Sequence, residues 1–213
     1  MSSKPPRSTA RADYHEPVMV DEILEHLVVD QDGVYVDCTL GGGGHTAAIL
    51  DKLSRQGTVC GADRDEDALR RSATKFADED RFGSVHCAFS QLEQKLIVDF
   101  PYGSIDGFLA DLGVSSHQID TPKRGFSFQE DGPLDLRMDR NSGISAMQLL
   151  DELDDHSLTK ILREYGEERN ARAISKRILK RHAQEPIVST LSLVDAVEPV
   201  VRGKFRICLL YTS

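Results

Sequence analysis

The chain is predicted to be an α/β protein, a doubly wound parallel sheet followed by a helical domain, and three observations predict it. Between Val34 and Ala110, short apolar runs alternate four times with segments of helical periodicity. That alternation marks a parallel sheet covered on both faces, with right-handed crossovers setting its winding. Four consecutive glycines, Gly41 to Gly44, stand where the first apolar run gives way to the first following helix. Beyond Asp111 the strand pattern stops, replaced by a long polar stretch and then by helical periodicity alone.

Each element has its own signal. After Pro17, the positions Val20, Ile23, Leu24 and Leu27 recur at one-face helical spacing, so a helix precedes the first strand. Residues 34–39 then read as strand, 46–53 as helix, 57–62 as strand and 65–76 as a helix with an acidic first turn. Residues 84–89 read as strand, 91–100 as helix and 105–110 as the fourth strand. Residues 113–143 are polar and rich in Gly, Pro and charge, too long for an ordinary connection and therefore a binding loop or a disordered one. Four helices follow, at 146–153, 157–165, 167–182 and 191–197.

Composition narrows the function. With 213 residues and 39% apolar content the chain can bury a substantial core. No apolar run approaches the ~20 residues that span a bilayer, and the first ten residues lack the apolar centre of a secretory signal, so no membrane partner is expected. Residues 1–13 read as a disordered leader. Cys38, Cys60, Cys87 and Cys208 show no CxxC spacing, which implies a reducing compartment and no metal site, and the short leader favours a cytoplasmic over an organellar setting. The net charge of −9 argues against nonspecific nucleic-acid binding by the whole molecule. The excess is uneven: residues 1–118 carry 20 acidic and 11 basic side chains, whereas residues 119–213 carry 15 of each. Residues 169–182 contain six basic side chains and no acid.

Glycine tolerates positive φ and has no Cβ, so a glycine run at a strand-to-helix turn lets a ligand reach main-chain N–H groups. Gly42-x-Gly44-x-x-Ala47 also fits a dinucleotide fingerprint, with the acidic Asp63 about 20 residues further on. In doubly wound sheets ligands lie beyond the carboxyl ends of the strands, and Asp37, Asp63, Phe89 and Asp111 each fall at or near one such end. Asp also starts turns, and Phe89 also suits a core, so each residue alone has an ordinary structural explanation. Four strand ends in register form a better case for a nucleoside site.

His15-Glu-Pro-Val, Asp37-Cys-Thr-Leu-Gly-Gly-Gly-Gly-His-Thr46, Asp111-Leu-Gly-Val-Ser-Ser116, Arg124-Gly-Phe-Ser-Phe128, Asp131-Gly-Pro-Leu-Asp-Leu-Arg-Met-Asp139 and Tyr165-Gly-Glu-Glu-Arg169 together resemble the RsmH (MraW) family. The likeness runs from Tyr14 to Arg202. It implies a Rossmann-like class I methyltransferase fold with an inserted helical domain, S-adenosyl-L-methionine as cofactor, and small-subunit (16S) ribosomal RNA or the 30S subunit as partner. The acceptor it implies is the exocyclic N4 amine of a cytosine in the decoding region. Carried over position by position, cofactor contacts fall on Gly43, Gly44, His45, Asp63, Phe89, Asp111 and Gln118. Asp37 is not among them and reads as an acceptor for loop N–H groups.

Chemically, a cytosine amine is a weak nucleophile and the cofactor a strong electrophile, so positioning dominates. Asp111, or a backbone carbonyl in residues 112–115, is the candidate acceptor for an amine N–H and hence the candidate catalytic group. RNA contacts are expected from the aromatic and basic loop, at Lys123, Arg124, Phe126 and Arg137 with Arg140, and from a helical stripe containing Arg172 and Lys176. A charged face opposite an apolar one is also what any surface helix shows. Two rivals remain open at this point. An NAD-dependent oxidoreductase would use the same glycines and Asp63, and a non-catalytic RNA-binding or assembly factor would keep the fold. The expected organisation is a cofactor domain over residues 14–118, a helical substrate-recognition insertion over 119–203 and a tail at 204–213 outside the family pattern. Cys208 to Ser213 reads like a translated transposon sequencing adapter, and about 100 further residues of sheet are expected beyond it. A chain lacking them is expected to expose the fourth strand and to be weakly stable and poorly active. The oligomeric state is not legible, a homodimer included.

Overall fold

The computed structural model describes residues 17–99 and 104–201. The proposed leader at 1–13, the His15-Glu16 part of the first motif and the tail at 204–213 lie outside them, as does Cys208. A short helix α1 (Val20–His26) leads into β1 (Val34–Asp37), α2 (Gly44–Lys52), β2 (Thr58–Asp63), α3 (Glu66–Lys75), β3 (Phe82–His86), α4 (Leu92–Asp99) and β4 (Gly107–Leu109). All strand pairs are parallel, in the order β3-β2-β1-β4. The order reverses at β1, so the crevice between the β1 and β4 ends is where a doubly wound sheet takes its ligand.

Both faces of the sheet are covered, as the uninterrupted apolar strands require. On one face Val36, Cys60, Ala62 and Val85 pack with Cys38, Cys87 and Leu96 of α4. On the other, Tyr35 and Val59 meet Ile49 and Leu50 of α2, with Leu24 and Leu27 alongside. Tyr35 is fully buried, and its hydroxyl is satisfied by donating to the Asp30 carbonyl at 2.8 Å and accepting from the Asp30 N–H at 3.1 Å. Burial of each such side chain contributes roughly 1.5–3 kcal/mol.

The second half builds a separate core. α6 (Ala146–Glu152), α7 (Asp155–Glu164), α8 (Ala171–Gln184) and α9 (Thr190–Val197) enclose Leu150, Leu158, Ile174, Ile178 and Ala196, with Leu134 and Ile187 from the connections. Ser145, Asp154 and Ser189 cap α6, α7 and α9 with side-chain oxygens, which satisfies N–H groups that a helix start leaves orphaned.

Several boundaries differ from expectation. The third strand is displaced N-terminally and ends at His86; Phe89 instead opens a 3₁₀ turn, Phe89–Gln91. α8 starts at Ala171 rather than 167, because Glu167 adopts a left-handed conformation (φ 49°) that breaks the helix. The stretch from 113 to 143, expected as a binding or a disordered loop, contains local structure of its own. It holds α5 (Ser116–Asp120), capped reciprocally by Ser115 and Gln118, and a 3₁₀ turn at Pro122–Arg124.

Candidate functional site

A cleft of about 1210 Å³ opens at the carboxyl ends of the strands. Its wall includes Leu40, Gly41, Gly42, Gly44, His45, Asp63, Phe89 and residues 111–118. The glycine turn forms because the chain must reverse within four residues. Gly41 and Gly43 have φ of 47° and 68°, and the Gly43 N–H donates to the Leu40 carbonyl at 2.7 Å. A Cβ on Gly43 would lie 2.6 Å from the Phe76 ring, so sterics as well as φ demand glycine there. No side chain caps α2 at Gly43.

Two carboxylates organise the floor. Asp37, fully buried, accepts from the Thr46 hydroxyl at 2.8 Å and the Thr39 N–H at 3.1 Å. The Thr39 hydroxyl accepts from the Asp111 N–H at 2.8 Å, so Asp37 orients Thr39 and Thr39 holds the backbone of Asp111. Asp63 accepts from the Gly41 N–H and the Asp65 N–H, each at 2.8 Å, and so ties the end of β2 to the glycine turn. Burial pushes both carboxyls above their ordinary values; for Asp37 the Thr46 bond and for Asp63 the Asp65 bond pull the other way. Burial likewise pushes the Cys38 thiol up, which makes it an inert packing group.

The structure brings Gly44, His45, Asp63, Phe89, Asp111 and Gln118 around this one cleft. Phe89 is 59% exposed, which removes the core-packing explanation for it. Asp111 is also exposed. Gly43 stands behind the wall as the N-cap of α2. His45 donates from Nε2 to the Val18 carbonyl at 2.8 Å and so anchors the entry to α1. Gln118 is buried; its amide donates to Asp65 Oδ2 at 2.7 Å and its carbonyl accepts from the Ser115 N–H.

The residues expected to contact RNA divide. Arg124 is a correction: it is 2% exposed and points inward. Its guanidinium donates to both Asp65 oxygens at 2.8 and 3.1 Å, to Asp67 at 3.0 Å and to the carbonyls of Arg137 and Met138. Both terminal nitrogens are committed to these acceptors, while the buried Nε has no partner among the described residues, so the group holds the loop to α3 rather than facing a phosphate. Arg137 forms a two-point pair with Asp135, at 2.6 and 3.0 Å, and Phe126 is half-buried. Lys123, Arg172 and Lys176 are exposed, the last two on α8 opposite Ile174 and Ile178. Neither α8 residue lines the cleft. Asp65, which the sequence reading passed over except as a helix start, is the common partner of Gln118 and Arg124. Its signal was a pairing across 59 residues, which no local pattern displays.

Among the described residues, no helix is long and apolar enough to cross a membrane. A family model described as the MraW methylase family matches residues 12–207. The ribosomal RNA small subunit methyltransferase H of Thioalkalivibrio sulfidiphilus is 42% identical over 206 residues, 97% of this chain and 64% of that protein. The protein of the same name from Caldicellulosiruptor saccharolyticus is 44% identical over 188 residues, 88% of this chain and 61% of its own length. That of Clostridioides difficile is 42% identical over 195 residues, covering 91% and 62%. The chain thus spans less than two thirds of the length of these relatives.

Proposed function

This chain belongs to the MraW methylase family, and from that premise we propose that it acts as an S-adenosylmethionine-dependent methyltransferase on the N4 amine of a cytosine in the decoding region of small-subunit ribosomal RNA. The observation that carries the reading is the single cleft that gathers the glycine turn, Asp63, Phe89 and Asp111 at the switch point of the sheet. The residues fit the cofactor. A turn without side chains leaves room for its methionine portion, the half-buried Asp63 carboxylate suits ribose hydroxyls, and the exposed Phe89 ring offers a face to adenine. When bound, the cofactor supplies an electrophilic sulfonium methyl.

The chain's own part is orientation. Asp111 accepts an amine N–H, which favours the pyramidal nitrogen whose lone pair is free, and the Asp37–Thr39 pair fixes the backbone from which Asp111 projects. Lys123, Arg172 and Lys176 supply positive charge on the exposed surface for the RNA strand. The family match favours this reading over the NAD-dependent oxidoreductase.

Calorimetric titration tests the cleft: S-adenosylhomocysteine binds and NAD does not. Labelled-cofactor incubation with small ribosomal subunits, followed by mapping of the modified base, tests the substrate. Asp111→Ala is expected to lower turnover by at least ~100-fold at saturating cofactor. Weaker cofactor binding with turnover preserved would make Asp111 a cofactor ligand only.

A further inference from the structure

The glycine turn is held from behind. Ser72, fully buried on α3, donates its hydroxyl to the Gly41 carbonyl at 3.3 Å. One helical turn on, Lys75 donates from Nζ to the Gly43 carbonyl at 2.7 Å and the Gly42 carbonyl at 3.4 Å. Three consecutive carbonyls of the turn therefore meet donors from α3, the Gly43 carbonyl accepting also from the Ala47 N–H of α2 at 3.1 Å. In a planar trans peptide the N–H points opposite the C=O of the same unit. The Gly42 and Gly44 N–H groups belong to the peptide units whose carbonyls Ser72 and Lys75 hold, so they are turned away from α3. Gly42 and Gly44 line the cleft, and among the described residues neither N–H has a protein partner. Phe76, packed on Phe82 with ring centroids 4.5 Å apart, blocks the turn from collapsing onto α3.

We propose that Ser72 and Lys75 are positioning residues which, by drawing the Gly41, Gly42 and Gly43 carbonyls onto α3, set the turn so that its free N–H groups receive the carboxylate of the cofactor's amino-acid portion. The inference rests on the cofactor reading above. Side-chain oxygens or carbonyls in the wall would repel that carboxylate, whereas two aligned N–H groups at the start of α2 attract it. Neither Ser72 nor Lys75 need touch the ligand.

The test compares two probes that share the thioether nucleoside and differ in the amino-acid portion: S-adenosylhomocysteine, which has the carboxylate, and 5′-methylthioadenosine, which lacks it. Titration calorimetry on the parent, Lys75→Met, Lys75→Arg and Ser72→Ala proteins gives the affinities, and thermal unfolding checks that each remains folded. Lys75→Met is expected to weaken S-adenosylhomocysteine about tenfold while leaving 5′-methylthioadenosine within about twofold. Lys75→Arg restores the selectivity, and Ser72→Ala, which changes no charge, reproduces a smaller selective loss. Equal weakening of both probes, or no change, overturns the proposal while the parent's binding keeps the cofactor reading intact. A parent protein that binds neither probe overturns that reading, and this inference with it.

Discussion

At the mouth of the sheet, Asp37 and Asp63 are held by hydroxyl and N–H donors, and burial pushes both carboxyls up. Where the loop of residues 121–143 meets α3, the carboxylates are paired with arginine instead. Asp65 lies against Arg124, and Asp135 against Arg137 and Arg140, and the Arg137 bond holds the Asp135 carboxyl below its ordinary value. The contrast separates two uses of buried charge. Carboxylates supported only by neutral donors keep capacity for further donors, and of the two only Asp63 reaches the cleft where it could use it. Carboxylates saturated by guanidinium hold a loop in shape.

The strongest way to break this contrast is Arg124→Met. Removing one partner of a buried pair strands the other, so a loss of about 3–5 kcal/mol is expected from urea unfolding. Combining it with Asp65→Asn should recover part of the loss, since the buried carboxylate is then neutral and Asp67 keeps its pair with Arg70. A loss under ~1 kcal/mol would mean the pair is solvated and the loop held some other way.

Gly43→Ala attacks the other region. Its φ of 68° and the 2.6 Å approach to Phe76 combine a strained backbone with a clash against a ring already packed on Phe82. A destabilisation of roughly 1–3 kcal/mol is expected, together with loss of S-adenosylhomocysteine affinity in the same preparation. Retained affinity would place the turn outside the ligand site.

What the sequence displayed was the part of the molecule governed by local rules. Uninterrupted apolar strands such as Val34 to Asp37 declared a doubly covered parallel sheet, and the four glycines declared the turn, because each depends only on neighbours in the chain. The S-x-x-Q cap of α5 was equally local, but it sat inside a polar stretch read as loop. Arg124 was illegible for another reason. A loop arginine among aromatics looks the same whether it faces water or a carboxylate 59 residues away, and only the fold decides. The hold of Ser72 and Lys75 on the glycine carbonyls spans 31 to 33 residues and was hidden in the same way.

The pH dependence sharpens the contrast with a smaller effect. Asp135 has a lowered folded value, so its stabilisation is complete above the unfolded carboxyl value of about 3.9 and is lost as pH falls through the folded value. Asp63 has a raised one, so its relative benefit is complete below about 3.9 and is lost as pH rises through the folded value. The parent's stability relative to Asp135→Asn should therefore fall towards acid, and its stability relative to Asp63→Asn should fall towards neutrality. Urea unfolding of the three proteins across that range checks both signs. Parallel slopes would show that the two regions handle charge alike.

The smallest effect on stability, and the one that bears on RNA, belongs to α8. Arg172 and Lys176 lie one turn apart on its exposed face, while Ile174 and Ile178 face the helical core. Exposed charges of this kind contribute little to folding, so reversing both to Glu should move stability by less than about 0.5 kcal/mol. If they grip phosphates, the same change weakens RNA binding uniformly across sequences and lowers the slope of log affinity against log salt by roughly one unit per contact. An unchanged slope would mean the stripe is only the solvated side of a surface helix. Of the loop's basic residues, exposed Lys123 would then be the next candidate to test in the same way, since Arg124 is committed to Asp65.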